Sequence, residues 1–354
     1  MIRVLVAEDS PTLREFLVHI LSAEPDIQVM ATVSDGVQAV EATGRLRPDV
    51  VTMDIHMPRL DGFDATRRIM ENNPVPIVIV SSWMNDQVAA TFRAIEAGAL
   101  AFVPRPHGVG HRDFGASAEE LVRMVRLMAE VKVVRRWRAT APEARRTMPA
   151  SSLPGAGPKT AARPVPKIVA IGASTGGPIA LQTILAGLKP DFPAPLLVVQ
   201  HISPGFVQGF VEWLGASSPL PVHLARQGDR LRPGHVYLAP DGLHMGIART
   251  GDDGESIRLD GTPPENAIRP AISYLFRSVG RTVGPSAVGV LLSGMGADGA
   301  AELKRLKDMG AATIAQSKES SVVHGMPGVA ISLGGASHVL DPSGIASWLM
   351  QWAQ

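Results

Sequence analysis

Short apolar runs rich in β-branched residues recur along this chain, each followed by a turn and then by apolar positions three or four apart. In the first third the runs are Ile2–Ala7, Gln28–Val33, Asp49–Asp54, Ile77–Ser81 and Leu100–Val103. The segment after the first run predicts a helix. Ser10 can cap it, Pro11 suits the first helical position, and Leu13, Phe16, Leu17, Ile20 and Leu21 return at helical spacing. The alternation resumes at Lys167–Ala173, Leu196–Gln200 and Ala287–Leu292, with a helix opening at Pro178 and carried by Ile179, Leu181, Ile184 and Leu185. Strands and helices alternating through short links predict parallel sheets covered on both faces, an α/β fold. In such sheets ligands gather at the C-terminal strand edge. That edge carries Glu8, Asp9 and Asp54 in the first part of the chain, and Ser174, His201 and Asp298 in the second.

At 354 residues the chain is long enough for two domains of about 100–200 residues each. Between them, residues 131–167 carry nine Lys or Arg against the single acid Glu143, and prolines punctuate the stretch from Pro142 to Pro166. No periodicity survives from about Ala139, so a flexible linker of polyproline and coil character is expected. The expected division is 1–125, a basic Pro-rich linker at 126–166, and 167–354. The linker's charge would suit nucleic acid or anionic lipid, but no run of interleaved aromatic residues accompanies it, and a solvated tether is the preferred reading. The whole chain is 45% apolar with a net charge of +1, which describes a globular protein with no overall pull toward nucleic acid. The absence of cysteine excludes disulfides, thiolate zinc sites and cysteine nucleophiles. No apolar run approaches the roughly 18 residues of a membrane span. The start is too short and too soon acidic for a signal peptide. A soluble cytoplasmic protein is expected.

Three carboxylates at neighbouring strand ends repel unless a cation joins them, and an all-oxygen donor set favours Mg²⁺. In the second part, Gly172-Ala173-Ser174-Thr175-Gly176 fits G-x-S-x-G between a strand and a helix, a turn that lifts a serine hydroxyl off the sheet. Two phosphate-binding alternatives fail on spacing, because the glycines do not make G-x-G-x-x-G and no Lys-Ser/Thr follows Gly177. A tight turn with an idle serine remains open. A nucleophilic serine needs a base, and the base an orienting acid. His201 directly ends a strongly apolar run, and Asp298 lies in the glycine-rich loop Ser293–Gly299. His235 and His244 are read as structural hydrogen-bonders. The chain order Ser, His, Asp differs from that of α/β-hydrolases.

Residues 1 to about 125 resemble the receiver domain of two-component response regulators, which implies a flavodoxin-like (βα)5 fold. The resemblance makes Asp54 the phosphoacceptor and Glu8 and Asp9 the acidic pair that, with Asp54, holds Mg²⁺. It matches Met57-Pro58-Arg59-Leu60-Asp61-Gly62 to the following turn, Ser81 to the hydroxyl that follows the phosphoryl group and Phe102 to the aromatic switch. Where the family carries lysine, this chain has Arg105, which keeps the charge but as a planar fork.

Residues 167–350 resemble the catalytic domain of the chemotaxis protein-glutamate methylesterases, the CheB family, a doubly wound domain with a mostly parallel sheet. The matching segments are Ile171–Gly177, Gln200-His201, Pro233–Pro240, Gly294–Ala300 and Gly325-Met326-Pro327. The resemblance implies Ser174 as nucleophile, His201 as base and Asp298 as orienting acid, with oxyanion donors near Thr175 and Met295. It implies as substrates the γ-glutamyl methyl esters and certain glutamines of chemoreceptors, a chemotaxis histidine kinase as phosphodonor and no cofactor for the ester chemistry. It also implies a receiver that covers the active site until Asp54 is phosphorylated. A monomer without membrane insertion or nucleic-acid binding is expected. Ile268 and Ser273 replace polar residues usual in the family, so two alternatives stay open: a phosphorylation-dependent binding module, and a serine hydrolase with another substrate.

Overall fold

A computed structural model describes residues 1–81, 94, 97–131, 167–249, 254–265 and 267–353. The expected basic linker falls outside the described residues from 132 to 166. The first unit has strands β1 (Ile2–Ala7), β2 (Ile27–Val33), β3 (Val50–Met53), β4 (Ile77–Ser81) and β5 (Ala101–Pro104). They form one parallel sheet in the order β2-β1-β3-β4-β5. The helices described are α1 (Pro11–Ser22), α2 (Gly36–Leu46), α3 (Gly62–Asn72) and α4 (Phe114–Ala129). Sequence and structure agree on each of these five strands to within a residue or so. Asp49 drops out of β3 because its carboxylate accepts from the Arg3 amide at 2.8 Å and pairs with the Arg3 guanidinium.

Helix starts follow local capping. Ser10 accepts from the Leu13 amide, Asp35 from Gln38 and Asp61 from Asp64. Helix α4 crosses the expected division at 125 and runs to Ala129, because its apolar stripe of Leu121, Val125 and Met128 continues to pack against Val4, Val6 and Val80.

The second unit is a seven-stranded, fully parallel sheet in the order β14-β13-β12-β6-β7-β9-β8. Its strands are β6 (Ile168–Ala173), β7 (Leu196–Gln200), β8 (Val222–Leu224), β9 (Val236–Leu238), β12 (Ala287–Leu291), β13 (Ala312–Gln316) and β14 (His338–Leu340). An antiparallel hairpin, β10 (His244–Arg249) with β11 (Glu255–Asp260), stands apart from it. The helices are α5 (Gly177–Ala186), α6 (Val207–Ser217), α7 (Ile272–Val283), α8 (Ala300–Asp308), α9 (Met326–Ser332) and α10 (Pro342–Trp352). The central strands β6, β7 and β12 are apolar except for Gln200 because both faces are covered. Val169 and Ile171 of β6 join Leu196 and Val198 of β7 in one core, while Ile168 and Ala170 join Leu197 and Val199 in the other. The chain enters at β6, builds outward through β7, and returns to the other side of β6 with β12. The strand order therefore reverses between β6 and β12, where open α/β sheets form their binding crevice.

Candidate functional site

In the first unit the reversal falls between β1 and β3, and there the structure gathers Glu8, Asp9 and Asp54. One ligand oxygen from each lies within 4.8 Å of the others. Glu8 and Asp54 are buried, at 1% and 3% exposure, and Asp9 is exposed. Burial, reinforced by the charge of Asp54, pushes Glu8 up to about 7; burial also raises Asp54, against the pull of Arg105. Two buried carboxylates that resist ionisation beside an exposed third form a donor set suited to a hard divalent cation. The Arg105 guanidinium enters the same space, its Nη2 at 3.3 Å from both Glu8 Oε2 and Asp54 Oδ1. Ser81 is buried at the end of β4. A second cluster, His107, His111 and Asp113, is exposed, and Arg112 already pairs with its carboxylate.

Phe102 does not stay within its own unit. Its ring lies 4.4 Å from that of Phe206 in the second unit, tilted by 53°. Arg123 of α4 approaches the Met295 sulfur at 3.8 Å, and Val323 packs against the first unit's core. The first unit thus meets the second along loops at the C-terminal edge of the larger sheet.

At that edge Ala173 of β6 stands in register with Gln200 of β7, so Ser174 and His201 are the next residues on adjacent strands. His201 Nε2 is 3.0 Å from Asp298 Oδ2. The carboxylate also accepts from the amides of Ile272 at 2.7 Å and Ser273 at 3.0 Å, where α7 begins. Burial alone would raise Asp298, but the hydrogen bonds from His201 and Ser273 outweigh it and hold the carboxyl below its ordinary value. With Nε2–H given to Asp298, the imidazole presents Nδ1 as its basic nitrogen. Among the described residues no hydrogen bond joins Ser174 Oγ to His201, an arrangement usual before substrate arrives.

The serine sits on a tight turn. Its amide donates to Ser293 O at 3.0 Å, its carbonyl accepts from Gly177 N at 2.8 Å, and Gly176 turns the chain with φ of +80°. Gly294 must lack a side chain, since a Cβ there would lie 2.5 Å from Ser174 Cβ. The amides of Thr175 and Met295 flank the serine on two loops, and no described residue accepts a hydrogen bond from either. Sequence reasoning missed two residues that assemble these loops. Ser293 Oγ donates to Thr175 O at 2.7 Å and accepts from Val323 N at 3.0 Å. Gln200, whose side-chain amide donates to the carbonyls of Ser174 and His201, is the other. His235 bonds His223 at 2.8 Å, and buried His244 accepts from Ala271 N at 3.1 Å, both structural as expected. Of the two departures, Ser273 touches Asp298, whereas Ile268 exchanges backbone hydrogen bonds with Glu265.

Residues 4–111 match the response regulator receiver domain and residues 169–349 match the CheB methylesterase family. The chain is 55% identical, over all of its length and 99% of the relative's, to protein-glutamate methylesterase/protein-glutamine glutaminase 4 of Geobacter metallireducens. It is 54% identical to the protein-glutamate methylesterase/protein-glutamine glutaminase of Nitrosospira multiformis, over 99% of this chain and 96% of that one. The crystal structure of the Thermotoga maritima CheB methylesterase catalytic domain is 37% identical and superposes with a TM-score of 0.51, covering 52% of this chain and 98% of that one. With its reversed sheet edge, its His–Asp pair beside a serine turn and its acidic receiver pocket, the chain belongs to the CheB family of receiver-linked methylesterases.

Proposed function

We propose that the chain is a cytoplasmic, phosphorylation-regulated protein-glutamate methylesterase and protein-glutamine glutaminase that resets the methylation of chemoreceptors. The observation that carries the reading is that Ser174 and His201 each stand one residue beyond the Ala173–Gln200 register pair, with His201 bonded to Asp298. In the reaction Ser174 Oγ attacks the glutamyl carbonyl carbon while His201 Nδ1 takes its proton. Asp298 holds the imidazole through Nε2 and stabilises the imidazolium that forms. The tetrahedral oxyanion points to the amides of Thr175 and Met295. As the acyl–oxygen or acyl–nitrogen bond breaks, His201 returns the proton to methanol or ammonia. A water molecule, deprotonated by His201, then releases glutamate and restores Ser174.

Asp54 takes the phosphoryl group from a chemotaxis histidine kinase, with Arg105 and Ser81 near the transferred oxygens. A divalent cation held by Glu8, Asp9 and Asp54 would offset the charge of that group. The contacts Phe102–Phe206 and Arg123–Met295 support a receiver that rests over the esterase edge. Phosphorylation then shifts the population toward an uncovered arrangement. We place the active species as a monomer.

Methanol release from membranes bearing methylated chemoreceptors, with and without acetyl phosphate and Mg²⁺, tests the proposal. Release should rise on phosphorylation. Ser174→Ala should abolish it while Asp54 is still phosphorylated. Substantial hydrolysis by that variant would sink the assignment, and no release from the unaltered chain would point to another substrate or to a binding role.

A further inference from the structure

Gln200 closes β7 and is buried at 7% exposure, yet it is not one of the three residues that carry out the reaction. Its single amide nitrogen donates to two carbonyls, that of Ser174 at 2.9 Å and that of His201 at 2.8 Å. Carbonyl oxygens only accept, so the NH₂ group must be the end that faces them, and both of its hydrogens are used. The other end of the carboxamide, Oε1, is buried without a hydrogen-bond partner among the described residues. It fits against Gly177, where an added Cβ would lie 2.2 Å from Oε1. A side chain needed only to fill this place would not be expected to bury an unsatisfied acceptor, because that opposes folding. The polar group is retained where it spans the nucleophile turn and the base loop.

We infer that Gln200 is a positioning residue of the esterase site. One rigid, planar amide ties the carbonyl of Ser174 to the carbonyl of His201 and so fixes the separation of the two loops from which hydroxyl and imidazole project. The inference rests on reading Ser174 as nucleophile and His201 as base. The Ser174 carbonyl is held from two sides, by Gly177 N and by Gln200 Nε2, which leaves its turn little room to rotate. Gly177 and Gln200 form one device, because the glycine leaves the space that the carboxamide oxygen occupies.

The test uses the full chain with Gln200→Met, which keeps length and bulk but donates nothing, and with Gln200→Glu, which keeps the shape. Methanol release is measured under phosphorylating conditions. Both variants should lose about 100-fold in kcat with KM changed by less than about threefold, the signature of misplaced reacting groups. Phosphorylation of Asp54 by acetyl phosphate should be unaltered, which reports an intact receiver. A kcat for Gln200→Met within about threefold of the unaltered chain would overturn the inference, as would a loss confined to KM. If neither variant folds, the side-chain amide protons of Gln200 in the unaltered chain decide. Exchange with solvent far slower than in free glutamine supports the clamp, and exchange at the free rate refutes it. Ser174→Ala and His201→Ala in the same assay isolate the premise, since hydrolysis by either variant would defeat the nucleophile and base reading whatever Gln200 does.

Discussion

Asp298 receives three donors, one side chain and two backbone amides, at 6% exposure. An asparagine there would have to turn an NH₂ toward at least one of these donors. Asp298→Asn is expected to lower kcat by about 10³–10⁴-fold, the usual scale when the acid of a triad is neutralised. It should also lower unfolding stability by about 1–3 kcal/mol by leaving buried donors unmatched. The pH dependence follows from the direction of the shift. A carboxyl held below its ordinary 3.8 stabilises the folded chain fully above that value, and the benefit fades as pH falls through the lower, folded value. Urea unfolding at a series of pH values should therefore show a gap between the two proteins that is constant at neutral pH and narrows below about pH 4. A gap that widens on acidification would contradict the geometry. In the receiver, one guanidinium nitrogen of Arg105 reaches both Glu8 and Asp54.

Among the elements, the loops at the strand ends depend on Ser293. Its hydroxyl joins the nucleophile turn to the segment leading into α9 through Thr175 O and Val323 N. Ser293→Ala should cost about 1–3 kcal/mol and lower kcat about tenfold, read from the urea midpoint and from methanol release. Unchanged turnover would mean that the loops hold without it. The elements themselves were legible where packing imposes a period. β6, β7 and β12 read as strands because both faces are buried, and α1 announced itself through Ser10 and Pro11. The three-residue strands β8, β9 and β14 are too short to carry a period. The hairpin of β10 and β11 was missed as a separate sheet, its two strands pairing antiparallel from His244↔Asp260 to Arg249↔Glu255. Ser174, His201 and Asp298 were legible as candidates because each follows an apolar run. Gln200 and Ser293 were not, since a polar residue at a strand end looks the same whether it meets solvent or a carbonyl brought from elsewhere in the chain. The partner of Met295, Arg123, lies 172 positions away and only folding reveals it.

At the scale of the whole molecule, two half-chains meet through a small aromatic contact. Phe102 and Phe206 are close enough to contribute about 1 kcal/mol beyond simple burial. Phe206→Ala should therefore raise the unphosphorylated rate about fivefold and reduce the further gain from acetyl phosphate. A basal rate that does not move would show that this contact does not hold the covered arrangement.

The strand order has a last consequence. β12, β6 and β7, whose ends bear Asp298, Ser174 and His201, lie in the middle of a seven-strand sheet, with β13 and β14 outside on one flank and β9 and β8 on the other. Such a sheet frays from its margins, and the free energy of local opening climbs toward the middle strands. The proposed catalytic geometry is thus insulated from the commonest fluctuations of the fold. Hydrogen exchange should find the amides of β6, β7 and β12 opening only with global unfolding, while those of β8 and β14 exchange through smaller excursions. Added denaturant should leave turnover nearly constant until the cooperative transition and then abolish it abruptly, so that activity and the integrity of the sheet's centre disappear together.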